Sequence, residues 1–128
     1  LEGDSFLAGK RNQVLILEDD EGLSQVLQQA FQKQGHTVHT AARPSDAEEL
    51  INSKPIGTVF VDCLLPETSG VEFSQKIREK YSPAVLEIVL MSGVFLDPAT
   101  TKDSVRQAQA QGFLKKPFEL KEALSLLP

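Results

Sequence analysis

The sequence predicts an α/β protein: an open, doubly wound, five-stranded parallel sheet in which each strand is followed by a helix. Three observations point to this. The apolar runs VLIL, TVFVD and LEIVLM are continuous rather than alternating, as in strands covered on both faces. Between them lie segments whose apolar residues recur at helical spacing. Strand and helix alternate five times, which implies parallel pairing, right-handed crossovers and helices on both sides of the sheet.

The elements follow in order. Residues 1–11, LEGDSFLAGKR, have no periodicity and are expected to be a flexible leader or cloning remnant before a single domain at 12–128. Val14–Leu17 is the first strand. Glu21–Gln34 is helical, with Leu23, Val26, Leu27, Ala30 and Phe31 on one face, and Gly35 stands where a C-terminal capping glycine belongs. His36–Ala41 is a short outer strand on which His36 and His39 are expected to be solvated. Ser45-x-x-Glu48 has capping-box spacing and opens a helix through Ile51, which Pro55 and Gly57 end. Thr58–Asp62 is the third strand, and LLPETSG is a loop. Ser69-x-x-Glu72 is a second capping box, heading a helix from Gly70 to Lys80 with Val71, Phe73 and Ile77 as its apolar positions. After Pro83 comes the fourth strand, Leu86–Met91. Asp97-Pro98 reads as an N-cap with proline in the first helical position. A polar helix then runs to about Gln111, with Gly112 as its stop. Phe113–Lys115 is the last strand, Pro117 forces a turn, and Glu119–Leu127 is the final helix.

Composition narrows the function classes. At 128 residues with 41% hydrophobic content the chain can bury one core. A net charge of −5 argues against a nucleic-acid backbone as a direct partner. No apolar run is long enough for a membrane span or a signal peptide. The lone cysteine, Cys63, excludes an internal disulfide and a multi-cysteine metal site, and a reducing, cytoplasmic compartment is expected. There is no GxGxxG and no GxxxxGK[ST] nucleotide loop.

The chemistry gathers where the strands end. In such sheets ligands bind beyond the carboxyl ends of the strands. The first strand runs into Glu18, Asp19, Asp20 and Glu21, like charges that repel one another. The third strand ends in Asp62, the fourth in Ser92 and the fifth in Lys115-Lys116. If these strands are neighbours, their ends converge and the acids need a cation. That cation is Lys115 or Lys116, or a hard divalent ion. Magnesium takes about six oxygen ligands and suits carboxylates with a backbone carbonyl, whereas no His/Cys set favours zinc. Acids, a lysine and a hydroxyl together are equipment for phosphoryl transfer. A carboxylate can itself accept the group as an aspartyl phosphate, and Asp62 lies in the middle of the predicted site.

These residues resemble the receiver domain of two-component response regulators over about residues 12–128. VLILEDDE is similar to that family's first strand and acidic pair, with Glu18 and Asp19 as the pair. VFVDCLLPETSG is similar to its D-x-x-M-P-x-x-x-G segment, with Asp62, Pro66 and Gly70 in place. VLMSG puts Ser92 at its hydroxyl position. FLKKPF puts Lys116 at its lysine, before Pro117 in a peptide that is usually cis, and Phe113 at its aromatic switch position. The resemblance implies a flavodoxin-like (βα)5 fold with strand order 2-1-3-4-5. It implies Mg2+ held by Glu18, Asp19, Asp62 and the Leu64 backbone carbonyl. It also implies phosphorylation of Asp62 by a partner histidine kinase or histidine phosphotransfer protein. Ser92 and Lys116 then engage the phosphoryl group, and Ser92 and Phe113 switch the face made by the fourth helix, fifth strand and fifth helix for an unidentified effector or output domain. A phosphorylation-dependent homodimer is a further possibility of such a face. The chain would be a signalling domain that dephosphorylates itself slowly, not a turnover enzyme.

There are departures from the family pattern. Leu65 replaces the usual methionine, and the segment around Val94–Thr101 is longer than in the chemotaxis receiver. Leu64 and Val94, two residues past the phosphoacceptor and the hydroxyl, are apolar and cannot orient a water, hence the expected slow loss of phosphate. Asp20 and Glu21 read as a solvated helix start. Lys115 should point away from the site by strand alternation, and Cys63 reads as a small buried residue. Two rival readings remain. One is a pseudo-receiver acting as a phosphorylation-independent interaction module. The other is an aspartyl-nucleophile magnesium phosphohydrolase, which Leu64 opposes because such enzymes carry a second acid there.

Overall fold

The structure is a computed structural model that describes residues 11–93 and 97–128. The elements are β1 (Gln13–Leu17), α1 (Glu21–Lys33), β2 (Val38–Ala41), α2 (Pro44–Ser53) and β3 (Ile56–Asp62), followed by α3 (Gly70–Arg78), β4 (Glu87–Ser92), α4 (Pro98–Ala108), β5 (Gly112–Lys115) and α5 (Leu120–Leu124). The five strands form one parallel sheet in the order β2-β1-β3-β4-β5, the expected doubly wound arrangement.

Alternation along each strand divides the core into two layers. Leu15, Leu17, Val59, Val61, Ile88 and Leu90 face Ile51 of α2 and Phe73 and Ile77 of α3. Val14, Ile16, Phe60, Val89 and Met91 face Leu27 and Phe31 of α1 and Ala123 of α5. Continuous apolar runs are therefore required, since both faces of the central strands are dry. Phe31 and Phe60 stack tilted, with ring centroids 4.9 Å apart. Each large side chain buried in this way contributes about 1.5–3 kcal/mol of transfer free energy.

Several boundaries differ from expectation, each for a physical reason. Ser45 does not cap α2. Pro44 occupies the first turn, so the N-cap is Arg43, held extended (φ −124°, ψ 143°) as a residue before proline must be, with no side-chain cap bond. Ser69 does cap α3, accepting from the Glu72 N–H at 3.0 Å, but the Glu72 carboxylate takes the Thr68 hydroxyl at 2.7 Å. Gly57 belongs to β3, beside the register shift that β1 makes between Gln13 and Val14, rather than to a helix stop. Residues 36–37 precede β2. Gly35 (φ +92°) donates to the Gln32 carbonyl at 2.9 Å and His36 to the Phe31 carbonyl at 3.2 Å, a closing pattern that only a left-handed residue permits. Gly112 starts β5 and does not stop α4. Gln109 turns left-handed (φ 51°), and Gln111 pairs with Ile88 through both its N–H and its side chain. α5 is a short helix, after which Leu126 and Leu127 still pack on the core. His39 is not simply solvated. Its Nε2 lies 2.8 Å from Gln13 Oε1, and burial beside Lys54 lowers its pKa.

Arg11, the last residue of the expected leader, already belongs to the folded body. It donates to the Ile56 carbonyl at 3.0 Å and lies 4.8 Å over the Tyr81 ring. The rest of the leader, and Val94 with its two successors, lie outside the described residues. Among the described residues, no helix is long and apolar enough to cross a membrane.

Candidate functional site

The register of the sheet brings four strand ends together. Leu17 pairs with Val61, Asp62 with Met91, and Ser92 with Lys115. Two further bonds continue the pairing past the strands: Cys63 N–H to the Met91 carbonyl and Lys116 N–H to the Ser92 carbonyl, each 2.7 Å. Glu18, Asp62, Ser92 and Lys116 therefore share one edge by backbone geometry alone.

Glu18, Asp19 and Asp62 form an acid cluster in which one carboxylate oxygen from each lies within 4.8 Å of the other two. Glu18 and Asp62 are buried and Asp19 is exposed. Lys116 Nζ lies 2.5 Å from Glu18 Oε1 and 3.5 Å from Asp62 Oδ2. Its firmer partner is thus Glu18, whose longer side chain reaches it. The Asp20 N–H donates to Glu18 Oε2 at 3.1 Å, and the Leu64 N–H donates to Asp62 Oδ1 at 3.3 Å.

Burial pushes Glu18 up to about 7, against the lowering pull of Lys116 and the Asp20 N–H, and Asp62 adds to the rise. Burial alone would lower the Lys116 pKa, but the Glu18 and Asp62 carboxylates outweigh it and hold that ammonium above its ordinary value. Lys116 thus meets two of the three clustered carboxylates, Glu18 and Asp62, in a partly dry pocket. The donor set is all oxygen, without histidine or thiolate, and fits a hard divalent cation.

The remaining expected residues fall as follows. Ser92 is buried at the end of β4, one residue past the Met91 that pairs with Asp62. Phe113 is half-buried, pairs with Leu90 and packs on the α3-side core. Lys115 is exposed and outside the cluster, as strand alternation requires. Leu64, two residues past Asp62, is 69% exposed and its backbone bridges to Ser69. Asp20 is the N-cap of α1, accepting from the Leu23 N–H at 3.2 Å. Thus the apparently redundant acid after the pair has its own task, for which its position ahead of the helical pattern was the signal.

Cys63 is half-buried, and its thiol is pushed up to about 11 by burial and by the Asp62 charge, against the opposing effect of Lys116. It should therefore react slowly. Iodoacetamide at about pH 8 is expected to label the folded chain roughly a hundredfold more slowly than the urea-unfolded chain. Equal labelling rates, followed by mass spectrometry, would refute this placement.

Comparison with known proteins agrees with this architecture. The family model for the response regulator receiver domain matches residues 14–127. The transcriptional regulatory protein SrrA of Staphylococcus aureus (strain NCTC 8325 / PS 47) is 21% identical over 113 residues, which cover 88% of this chain and 45% of that protein. The chain spans about half the length of the curated relatives it matches. A two-component response regulator from Clostridium difficile superposes with a TM-score of 0.80 at 21% identity, covering 89% of this chain and 90% of that one. The Vibrio cholerae chemotaxis protein CheY4 gives 0.80 at 24% identity, covering 88% and 92%. The receiver domain of NtrX from Brucella abortus gives 0.79 at 22% identity, covering 89% and 93%. At these identities the likeness of structures is one of fold, and the assignment comes from the family match across nearly the whole chain. With that match and a 2-1-3-4-5 parallel sheet gathering its acids at one edge, the chain belongs to the response regulator receiver domain family of two-component systems.

Proposed function

We propose that this domain accepts a phosphoryl group on Asp62 from a phosphohistidine on a partner histidine kinase or histidine phosphotransfer protein. The observation that carries the reading is the convergence of Asp62 with Glu18, Asp19 and Lys116 beside the buried Ser92. One carboxylate oxygen of Asp62 attacks phosphorus in line with the P–N bond. The P–O bond forms, the P–N bond breaks, and the imidazole leaves with the electron pair. Lys116 is within reach of Asp62 to pair with a phosphoryl oxygen, and the Ser92 hydroxyl is the donor for another. Glu18, Asp19, Asp62 and the Leu64 carbonyl would hold Mg2+, which when bound supplies positive charge against the phosphoryl oxygens. The added group carries a charge near −2 and seeks new donors. Ser92 and Phe113 would then report it to the face of α4, β5 and α5, and through that face to an effector, an output domain or a second copy of the chain.

Acetyl phosphate with Mg2+ tests the reading. The intact mass should rise by one phosphoryl group, and Asp62→Asn should abolish the gain. No gain in the unaltered protein would instead favour a phosphorylation-independent interaction module. The same samples give the lifetime. Leu64 carries no group to orient an attacking water, so the aspartyl phosphate should persist beyond seconds after dilution into chelator. A sub-second lifetime would count against that role.

A further inference from the structure

Among the described residues, α4 is most deeply buried at its C-terminal end, with Thr101, Ser104 and Val105 half-buried along the same face. Ala108, in its last turn, is its one buried residue among those described. At the other end Pro98, Ala99 and Thr100 are exposed, and the N-cap bond from the Thr100 N–H to Asp97 Oδ1 (2.7 Å) is internal to the helix. The attachment at the far end runs through Arg78, in the last turn of α3. Its Nε donates to the Ala108 carbonyl at 3.1 Å and its Nη2 to the Gln109 carbonyl at 2.7 Å. Its Nη1 donates to the carbonyls of Tyr81 (3.2 Å) and Leu86 (2.6 Å). A single guanidinium thus collects carbonyls from the turn after α3, the approach to β4 and the C-terminus of α4. Those of Ala108 and Gln109 are helix-end carbonyls that a helix cannot satisfy itself, and α4's negative dipole end suits a cation. Arg78 makes no salt bridge among the described residues, so these carbonyls are what balance its half-buried charge.

We propose that Arg78 is the pin of α4, a positioning residue that fixes the helix at Ala108–Gln109 so that any reorientation pivots about that end. The reciprocal pairing of Gln111 with Ile88, N–H to carbonyl at 2.8 Å and backbone N–H to Oε1 at 2.6 Å, secures the chain just beyond the pin. A planar fork is needed, because a lysine ammonium donates from one point and cannot span three segments. The inference rests on the phosphoacceptor reading only for its bearing on signalling. Ser92 ends β4 and Asp97 heads α4, so along the chain the acid site lies nearer the end of the helix opposite the pin.

Amide residual dipolar couplings on the 15N-labelled full chain, without phosphate, test the pin. In the unaltered protein the couplings of Ala99–Ala108 should fit the same alignment as the sheet. In Arg78→Met they should shrink together about twofold or more while those of β1, β3 and α1 stay, and Arg78→Lys should be intermediate. Unchanged α4 couplings in Arg78→Met, or a loss shared by every element, would overturn the proposal. If the methionine variant does not fold, the lysine variant decides by the same criterion. A second arm adds acetyl phosphate and Mg2+. Amide shifts should then move more over Asp97–Thr101 than over Val105–Gln109, and Arg78→Met should erase that asymmetry. Equal movement at both ends in the unaltered protein would overturn the pivot. Absence of phosphoryl incorporation would tell against the phosphoacceptor reading, while the first arm still judges the pin.

Discussion

Replacing Lys116 with methionine is expected to lower the stability of the metal-free domain by about 2–3 kcal/mol well above pH 7, measured by urea unfolding. Glu18 and Asp62 are 3% and 5% exposed, and Lys116 is the cation that reaches both. Removing one partner of such a group leaves charge in a poor solvent for it, at a cost of several kcal/mol when burial is complete. The Lys116 side chain is 21% exposed, so the lower part of that range applies. The loss has a fixed direction with pH. Glu18 already stands at about 7, above its ordinary 4.5, and it rises further without the ammonium. Below 4.5 it is protonated whether folded or unfolded, and the missing lysine matters little. As pH climbs through 7 the ionised form has no partner, and the gap between variant and wild type widens. Mg2+ should stabilise each protein by mass action, by about 2.7 kcal/mol at a hundredfold excess over that protein's own dissociation constant, and should narrow the gap only as far as the variant binds it more tightly. A gap of the same size at low and high pH would mean that Lys116 acts through the packing of its stem, and the electrostatic account would fail.

Gly70→Ala is expected to cost about 2–4 kcal/mol and to slow phosphorylation of Asp62 by acetyl phosphate at least tenfold, roughly. Gly70 is the first residue of α3 and lies against the turn that carries the proposed phosphoacceptor. A Cβ there would meet the Asp62 carbonyl oxygen at 2.3 Å, and the Asp62 carbonyl carbon and Cys63 Cα at 2.9 Å. These are backbone atoms with no rotamer to move into. The glycine is also held in place, since its N–H donates to the Cys63 carbonyl at 2.9 Å and its carbonyl accepts the Ser74 hydroxyl at 2.7 Å. Relief therefore requires that α3 or the Asp62 turn shift, and either displaces the carboxylate. Gly22→Ala is the control. Its nearest neighbour would be Asp20 Oδ1 at 3.4 Å, ordinary contact inside a helix that prefers alanine. Urea midpoints for Gly70→Ala and Gly22→Ala that coincide would refute the steric argument.

Much of this was legible in the chain because the signals were local. Val14–Leu17, Val59–Val61 and Ile88–Met91 are apolar at every position, and the two core layers show why: successive residues face opposite helices. Glu18, Asp62, Ser92 and Lys116 were legible as a group because each stands at a strand end and parallel strands end on one side. Ser69 and Asp97 were legible as caps because a short acceptor precedes each helix, and both accept as expected. Ser45 misled because Pro44 moved the helix start ahead of it, and Gly112 misled because the stop of α4 came from Gln109 instead.

Sequence pattern alone was enough for the strand and helix order, the acid-rich edge and the family, since periodicity, caps and strand ends are properties of neighbouring residues. Reach across the fold was not. That Lys116 sits closer to Glu18 than to Asp62, that Asp20 steadies Glu18 through its N–H, and that Arg78 gathers carbonyls from three segments all depend on side-chain length and on where distant backbone comes to rest. No spacing rule encodes such contacts, because the partners are brought together only when both faces of the sheet are packed.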